Sequence, residues 1–205
     1  MDQVAVAVAV VCWSTVAVVW VAGAIYGLGW NRADRATRVA HVPLGVTLGS
    51  IAAAAVVAIA GQMAFGWLRI ESAWARLAGL GLLVASTAFA LWARRELGTA
   101  WTVRPMVTGD HRLRTTGPYG ITRHPIYTGI LGMLIGTSLL AGGGPAFAAP
   151  AIGLLAIAVK VRTEEPLLLA MFPEAYARYR ETVPALVPGM RWGRPRRGPA
   201  SARPS

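Results

Sequence analysis

Long runs of apolar residues, separated by short polar segments, dominate the hydrophobic pattern of this chain. A helix needs about 20 such residues, each rising about 1.5 Å, to cross a bilayer. The pattern therefore predicts five membrane-spanning helices, over residues 4–28, 42–65, 73–93, 125–141 and 145–161. The fourth and fifth runs are shorter and are joined by Gly142-Gly143-Gly144-Pro145, which predicts a tight helical hairpin.

The overall composition agrees with a membrane protein. Hydrophobic residues make up 55% of the chain and charged residues only 14%, whereas about 25% of an ordinary soluble domain is charged. The mean hydropathy is +0.51. No basic residue precedes the first apolar run, and the run is too long for the core of a signal peptide. We therefore expect the first run to be a retained membrane span.

The distribution of basic residues predicts the orientation in the membrane. With five spans, all but two of the 20 lysines and arginines fall on one side, and only Arg69 and Arg76 fall on the other. The positive-inside rule then places the N-terminus outside and the C-terminus in the cytoplasm. The basic residues responsible for the net charge of +11 flank the spans, where each gains about 1 kcal/mol from attraction to the anionic inner leaflet. The charge therefore has an explanation in the membrane, and no nucleic-acid partner is predicted.

Cysteine content and the polar segments define the remaining organisation. The single cysteine, Cys12, excludes an internal disulfide and CxxC chemistry, so we predict a small core residue and no metal site.

Residues 1–93 should form an N-terminal three-helix membrane region. Residues 94–187 should form a functional core, and residues 188–205, rich in Pro, Arg and Gly, a disordered basic tail that belongs to no folded unit.

The segment GPYGITRHPIYTG, residues 117–129, lies where the fourth span begins and is unusually polar. Taken singly, Arg123 could be an interfacial anchor, His124 a satisfied interfacial histidine, and Tyr119 and Tyr127 part of an aromatic belt. Their coincidence within nine residues instead predicts a functional site.

A second charged cluster, Lys160-Val161-Arg162-Thr163-Glu164-Glu165, follows the fifth span. Two adjacent carboxylates at the end of a membrane helix are costly unless they are solvated or paired. The hairpin returns Glu164 and Glu165 to the membrane face that carries Arg123 and His124, so the two clusters can share one pocket. The alternative is an interfacial network of salt bridges with no ligand.

The segment after the glutamates has apolar residues at helical spacing and predicts an amphipathic cytoplasmic helix. Pro166 and Pro173 should break or restart this helix. It should lie at the membrane interface or fold back over the preceding loop, where the hydroxyls of Tyr176 and Tyr179 could close a pocket.

Two motifs carry a resemblance to a known family. HRLRTTGPYGITRHPIYTG is followed about forty residues later by EE-x-LLL-x-x-F-x-x-x-Y-x-x-Y-x-x-x-VP. Over residues 97–188 the chain resembles the isoprenylcysteine carboxyl methyltransferases and the related phospholipid methyltransferases. The resemblance implies an all-α integral membrane protein with five transmembrane helices. Its pocket for S-adenosylmethionine (SAM) would be cytoplasmic, formed by the loop before the fourth helix, the ends of the fourth and fifth helices and a C-terminal amphipathic helix.

The resemblance also implies roles for individual residues. The cofactor contacts fall on His111, Arg112, Leu113, Arg114, Tyr119, His124, Pro125, Ile126, Tyr127 and Glu164. We expect Glu164 to face the cations of SAM, Arg123 to orient the nucleophile, and Glu165 to support either carboxylate role. The family's prenylcysteine enzymes carry an arginine four places before the glutamate, where this chain has Lys160, so Lys160 and Arg162 are the predicted substrate-binding residues.

The resulting functional prediction is a membrane methyltransferase that uses SAM. Its acceptor should be amphiphilic or lipidic, with a prenylcysteine-like carboxylate as the first candidate and a phospholipid or a small amine or thiol as the alternative. The acceptor would enter from the bilayer and SAM from the cytosol. Two other classes stay open, a membrane reductase that uses NADPH and a scaffold without catalytic activity.

Overall fold

The computed structural model describes residues 3–30, 70, 72–97 and 113–189, and the secondary structure of these residues is helical. The helices are α1 (Gln3–Trp30), α2 (Ala73–Leu97), α3 (Pro118–Ile121), α4 (Pro125–Ala141), α5 (Ala148–Met171) and α6 (Pro173–Thr182). A single 3-10 turn, Gly144–Phe147, joins α4 to α5. The predicted second span and nearly all of the predicted basic tail lie outside the described residues.

Three of the predicted spans coincide with observed helices. Within α1 the stretch Gln3–Gly23, and α2 over its whole length, are long and apolar enough to cross a membrane, whereas α4 has only 17 residues. Since the second predicted span is not described, the count of five spans stays a prediction.

The helix that contains the fifth predicted span continues beyond the apolar run. Helix α5 continues from Ala148 to Met171 and passes through Pro166, so the prediction of a break at that proline was wrong. Proline removes the hydrogen bond to the carbonyl of Arg162, but both residues are exposed, and solvent can satisfy that carbonyl. The second predicted break is confirmed, because Phe172 interrupts the helix and Pro173 is the first residue of α6.

The core is built on the antiparallel pair α2 and α4, which pack through small residues. A Cβ atom at Gly136 would lie 2.8 Å from both the Gly79 carbonyl oxygen and the Leu83 nitrogen. A Cβ atom at Gly129 would lie 2.7 Å from that of Ala90. Backbones this close are typical of membrane helices that associate through glycine-rich faces.

Helix α1 packs against this pair from one side. Its buried residues Ala9, Cys12 and Val16 join Leu83, Met133 and Leu140 in one hydrophobic cluster. The Trp13 indole donates a hydrogen bond of 3.1 Å to the Thr137 hydroxyl on α4. The burial of Cys12 confirms its prediction as a small core residue.

A left-handed glycine ends α4 and makes the hairpin tight. Gly142 has φ +65° and its N–H donates 3.1 Å to the Ser138 carbonyl, a helix ending that favours glycine. The Gly142 carbonyl accepts from the Ile70 N–H at 2.8 Å, close to where α2 begins. The predicted hairpin is confirmed, and it returns the far end of α5 to the start of α4.

Candidate active site

The polar turn before α4 is anchored to the end of α2. Gly117 has φ +58° and ψ −131°, a conformation that side chains disfavour, and Pro118 then opens the short helix α3. The Thr116 hydroxyl donates 2.7 Å to Glu96, which also lies against Gly117. Sequence reasoning did not single out Glu96, since nothing around it distinguishes it from any helix-end carboxylate.

Arg123 and Glu165 form a buried ion pair between the start of α4 and the C-terminal half of α5. The Nε and Nη2 atoms of Arg123 donate to Glu165 Oε1 at 3.0 and 2.5 Å. The two side chains are 5% and 13% exposed. Arg123 Nη1 also donates to the Val183 carbonyl at 2.5 Å, so one guanidinium joins three segments of the chain.

Residues 183–186, just after α6, form a wall of the site that sequence reasoning missed. Besides the bond from Arg123 Nη1 to Val183, three hydrogen bonds join this wall to the start of α4, namely Arg123 N to Pro184 O (2.8 Å), His124 N to Ala185 O (3.0 Å) and Thr128 Oγ1 to Leu186 O (2.7 Å). Ala185 and Leu186 are buried against Ile157 of α5. Val183-Pro184 ends the second motif, but sequence reasoning assigned these residues no role, since their partners at the start of α4 lie about sixty residues away in the chain.

Glu164 has one oxygen engaged and one available. Its Oε1 accepts from the Tyr127 hydroxyl at 2.8 Å and lies 3.0 Å from Lys160 Nζ. Its Oε2 lies 3.9 Å from His124 Nδ1, beyond hydrogen-bonding distance. Within the described part of the chain, Oε2 therefore has no hydrogen-bond donor, and the side chain is 26% exposed.

His124 lies between the two carboxylates. Its ring stacks on Tyr127 with centroids 5.7 Å apart, and its Nε2 lies 3.6 Å from Glu165 Oε1. The side chain is 6% exposed, and among the described residues its buried Nε2 makes no hydrogen bond. A buried polar atom that makes no hydrogen bond calls for an explanation, and a catalytic role or a bound water or ion would supply one.

Helix α6 folds back over the turn before α4, which is one of the two placements expected for it. The Tyr179 hydroxyl donates 2.5 Å to the Tyr119 carbonyl, and Tyr176 packs edge-on against Tyr179 with centroids 6.0 Å apart. Burial raises the pKa of both Tyr176 and Tyr179, so both phenols stay protonated at neutral pH.

Glu165 lies beyond the predicted end of the fifth span, and its environment favours the ionised form. Burial alone would raise its pKa, but His124, Arg123 and the charge of Arg180 outweigh burial and hold the pKa at about 2. Because folding lowers the pKa of Glu165, the ionised carboxylate stabilises the fold at pH values above 4.5, its ordinary pKa. That stabilisation is lost as the pH falls from 4.5 towards 2.

We therefore expect the unfolding temperature in detergent to fall over that acid range, and the Glu165→Gln variant to show a flatter profile there. The matched control is Glu174→Gln, because Glu174 is 88% exposed and its variant should keep the wild-type acid profile. A profile for Glu165→Gln as steep as that of the wild type would contradict this assignment.

The structure brings together half of the predicted site residues, namely Tyr119, Arg123, His124, Tyr127, Lys160, Glu164 and Glu165. Pro125 is buried at the start of α4, Leu113 and Ile126 are half-buried, and Arg114 is exposed. Arg162 is exposed and lies roughly 200° around α5 from Lys160, so the two cations do not face the same way. His111 and Arg112 lie outside the described residues.

Comparison with known proteins identifies the family. Residues 74–175, which hold α2, the polar turn, the hairpin and the glutamate pair, match the family model described as phospholipid methyltransferase. The protein-S-isoprenylcysteine O-methyltransferase of Schizosaccharomyces pombe is 34% identical over 83 residues, which cover 38% of this chain and 34% of that protein. The chain belongs to the phospholipid methyltransferase family and is similar to an isoprenylcysteine O-methyltransferase. The resemblance predicted from the two motifs is confirmed.

Two further relatives of this chain extend the comparison with the methyltransferase family. The cobalt-zinc-cadmium resistance protein CzcN of Cupriavidus metallidurans is 34% identical over 141 residues, covering 65% of this chain and 60% of that protein. A solved structure of the eukaryotic intramembrane Ras methyltransferase, an isoprenylcysteine carboxyl methyltransferase, matches with TM-score 0.54 and 22% identity. It covers 80% of this chain and 61% of that one, and at this identity it shows a shared membrane fold. The chain thus spans between about a third and three fifths of these relatives.

Proposed function

We propose that this chain is an integral membrane methyltransferase that uses SAM as methyl donor and acts on an amphiphilic acceptor. Family membership supports the reaction class. The observation that carries the proposal is the second oxygen of Glu164, which faces His124 without a hydrogen-bond donor among the described residues. It lies on the side that the basic residues predict to be cytoplasmic, where a water-soluble cofactor would arrive.

The donor set at this place fits one end of SAM. The cofactor has a sulfonium and an ammonium, both cations, and a partly buried carboxylate such as Glu164 is their natural partner. The Nε2 of His124, which makes no hydrogen bond to any described residue, gives the same place a second polar group. When bound, SAM supplies an electrophilic methyl group for transfer to a nucleophile.

The residues of the chain would act mainly by positioning. Holding two reactants in line can lower a barrier by about 7–11 kcal/mol, and methyl transfer needs little acid or base assistance. We propose that Glu164 holds the positive end of the cofactor and that Tyr127 fixes the orientation of Glu164. The other proposed cofactor contacts, several through the backbone, are His111, Arg112, Leu113, Arg114, Tyr119, His124, Pro125 and Ile126.

Arg123 and Glu165 enter the proposal as the two catalytic candidates. An arginine has five N–H donors, and four of those of Arg123 point to Glu165 and to the Val183 and Arg180 carbonyls. We propose that the remaining N–H orients the nucleophile of the acceptor. Glu165 would then hold the guanidinium in position for this task.

The proposed acceptor class rests on the charge beside Glu164 at the exposed edge of the site, and on the reactions for which the relatives are named. Lys160 is an exposed cation there, beside Glu164, and favours an acceptor with an anionic head, whereas Arg162 lies on another side of α5. The S. pombe relative is named for methylation of isoprenylcysteine, so a prenylcysteine-like carboxylate is our first candidate. A phospholipid, as in the description of the family model, is the alternative. In both cases the lipid part would enter from the bilayer between helices.

The Glu164→Gln variant tests the cofactor site. Hydrogen bonds to charged groups contribute about 1.5–3 kcal/mol, so this variant should bind SAM at least about tenfold more weakly by calorimetry in detergent. Glu174→Gln removes an equivalent charge from an exposed position and should bind SAM as the wild type does. Wild-type affinity in Glu164→Gln would refute the role of Glu164.

The acceptor is tested separately, with methyl-labelled SAM and whole membranes. We expect label in prenylated protein or prenylcysteine, whereas label in the phospholipid or the small-molecule fraction would select the alternative. Thermal stabilisation of the protein by NADPH and not by SAM would instead favour a reductase. The absence of binding by either cofactor would favour a scaffold.

A further inference from the structure

Lys160 and the positive end of SAM would meet the same carboxylate, and we propose that they compete for it. In this inference, Lys160 neutralises Glu164 while the cofactor is absent and gives up that contact when the cofactor binds. The released ammonium then meets the anionic head of the acceptor. The inference rests on the proposed function and adds a link between its two binding steps.

The competition follows from the contacts of Glu164. Lys160 Nζ lies 3.0 Å from its Oε1, and the Tyr127 hydroxyl occupies the same oxygen at 2.8 Å. One carboxylate carries a single negative charge, which Lys160 already balances. A second cation placed at Oε2 would lie a few ångströms from the ammonium of Lys160, and the two like charges would repel.

Burial decides which partner moves. The Lys160 side chain is 61% exposed, whereas Glu164 is 26% exposed and held by Tyr127. An exposed pair at positions i and i+4 of a helix contributes little to stability, so its separation costs little. Lysine also cannot form the bidentate pair of hydrogen bonds that arginine makes with a carboxylate. Lys160 therefore withdraws into solvent while Glu164 stays.

The withdrawal couples the two ligands. A lysine engaged with Glu164 attracts an anionic acceptor weakly, because the pair is close to neutral. Once the cofactor balances Glu164, Lys160 is a free cation at the mouth of the site. The cofactor should then raise the affinity for an anionic acceptor, and by thermodynamic linkage the acceptor should raise the affinity for the cofactor by the same factor.

Titration of the full chain in detergent with SAM tests this inference. Lys160→Gln should bind SAM about two- to fivefold more tightly than the wild type at low ionic strength, because the competing cation is gone. Lys160→Arg keeps the charge and should bind no more tightly than the wild type. The control is Arg178→Gln, which breaks another exposed i, i+4 pair, with Glu174, and should leave the affinity unchanged.

A second titration uses a farnesylcysteine carboxylate as the acceptor probe. SAM should increase the affinity for this probe in the wild type, and this increase should be lost in Lys160→Gln. If the wild type binds SAM but Lys160→Gln binds it equally or more weakly, the competition is refuted and the proposed function stands. If the wild type does not bind SAM, both are refuted.

Discussion

Replacing Arg123 with methionine should lower the free energy of unfolding by about 3–5 kcal/mol, the usual cost of removing one partner from a buried ion pair. Glu165 is only 13% exposed, and Arg180 at 3.5 Å would be its remaining cationic neighbour, with the His124 ring at 3.6 Å. The Val183 carbonyl would lose its closest donor. We expect earlier unfolding in a denaturant titration in mixed micelles and faster proteolysis at residues 183–186.

A double variant separates structure from catalysis at this pair. Replacing a buried ion pair by apolar residues of similar volume is often neutral, so Arg123→Met with Glu165→Leu should recover most of the stability. Arg178→Met removes an arginine that is 73% exposed and should change stability by less than about 1 kcal/mol. A stable double variant without methyl transfer would support a catalytic role. Retained transfer would show that the pair only joins the segments.

Replacing Gly136 with leucine should destabilise the protein by about 3 kcal/mol, because a side chain there has no space. The first carbon alone would approach the Gly79 carbonyl oxygen and the Leu83 nitrogen to 2.8 Å, and backbone atoms cannot rotate away. Helices α2 and α4 would have to separate. The same denaturant titration in mixed micelles measures this loss.

The control for this prediction lies on the partner helix. Gly81 is within α2, and a Cβ atom there would meet nothing within 4 Å. Gly81→Ala should therefore be neutral or stabilising by up to about 1 kcal/mol, since alanine is the better helix former. Equal effects of the substitutions at Gly136 and Gly81 would show that close helix packing does not limit stability.

Local rules predicted the membrane helices well. Helix α4 begins and ends where the apolar run does, because Pro125 suits a first helical turn and Gly142 suits the end of a helix. The same rules failed at Pro166. The carbonyl of Arg162 loses its hydrogen bond there, but Arg162 is exposed to solvent and the helix continues. A sequence pattern shows that a proline is present but does not show whether solvent can reach the carbonyl that it leaves unpaired.

The candidate site was predicted in composition and only partly in arrangement. The hairpin argument brought the cluster at Arg123 and His124 to the cluster at Glu164 and Glu165, and the two do meet. It did not predict which cation pairs with which glutamate. Adjacent residues on a helix point about 100° apart, so packing against α4 and residues 183–186 turns Glu165 towards Arg123 and Glu164 towards Tyr127.

The sequence alone determined the helical membrane class, the hairpin, the family and the residue types of the site, because apolar length, glycine and proline chemistry and two motifs are local properties. The tertiary structure alone decided three other features. These are the close packing at Gly136, the wall at residues 183–186 and the unequal roles of the two glutamates. Each depends on contacts between segments far apart in the chain, where distance and burial select the partner.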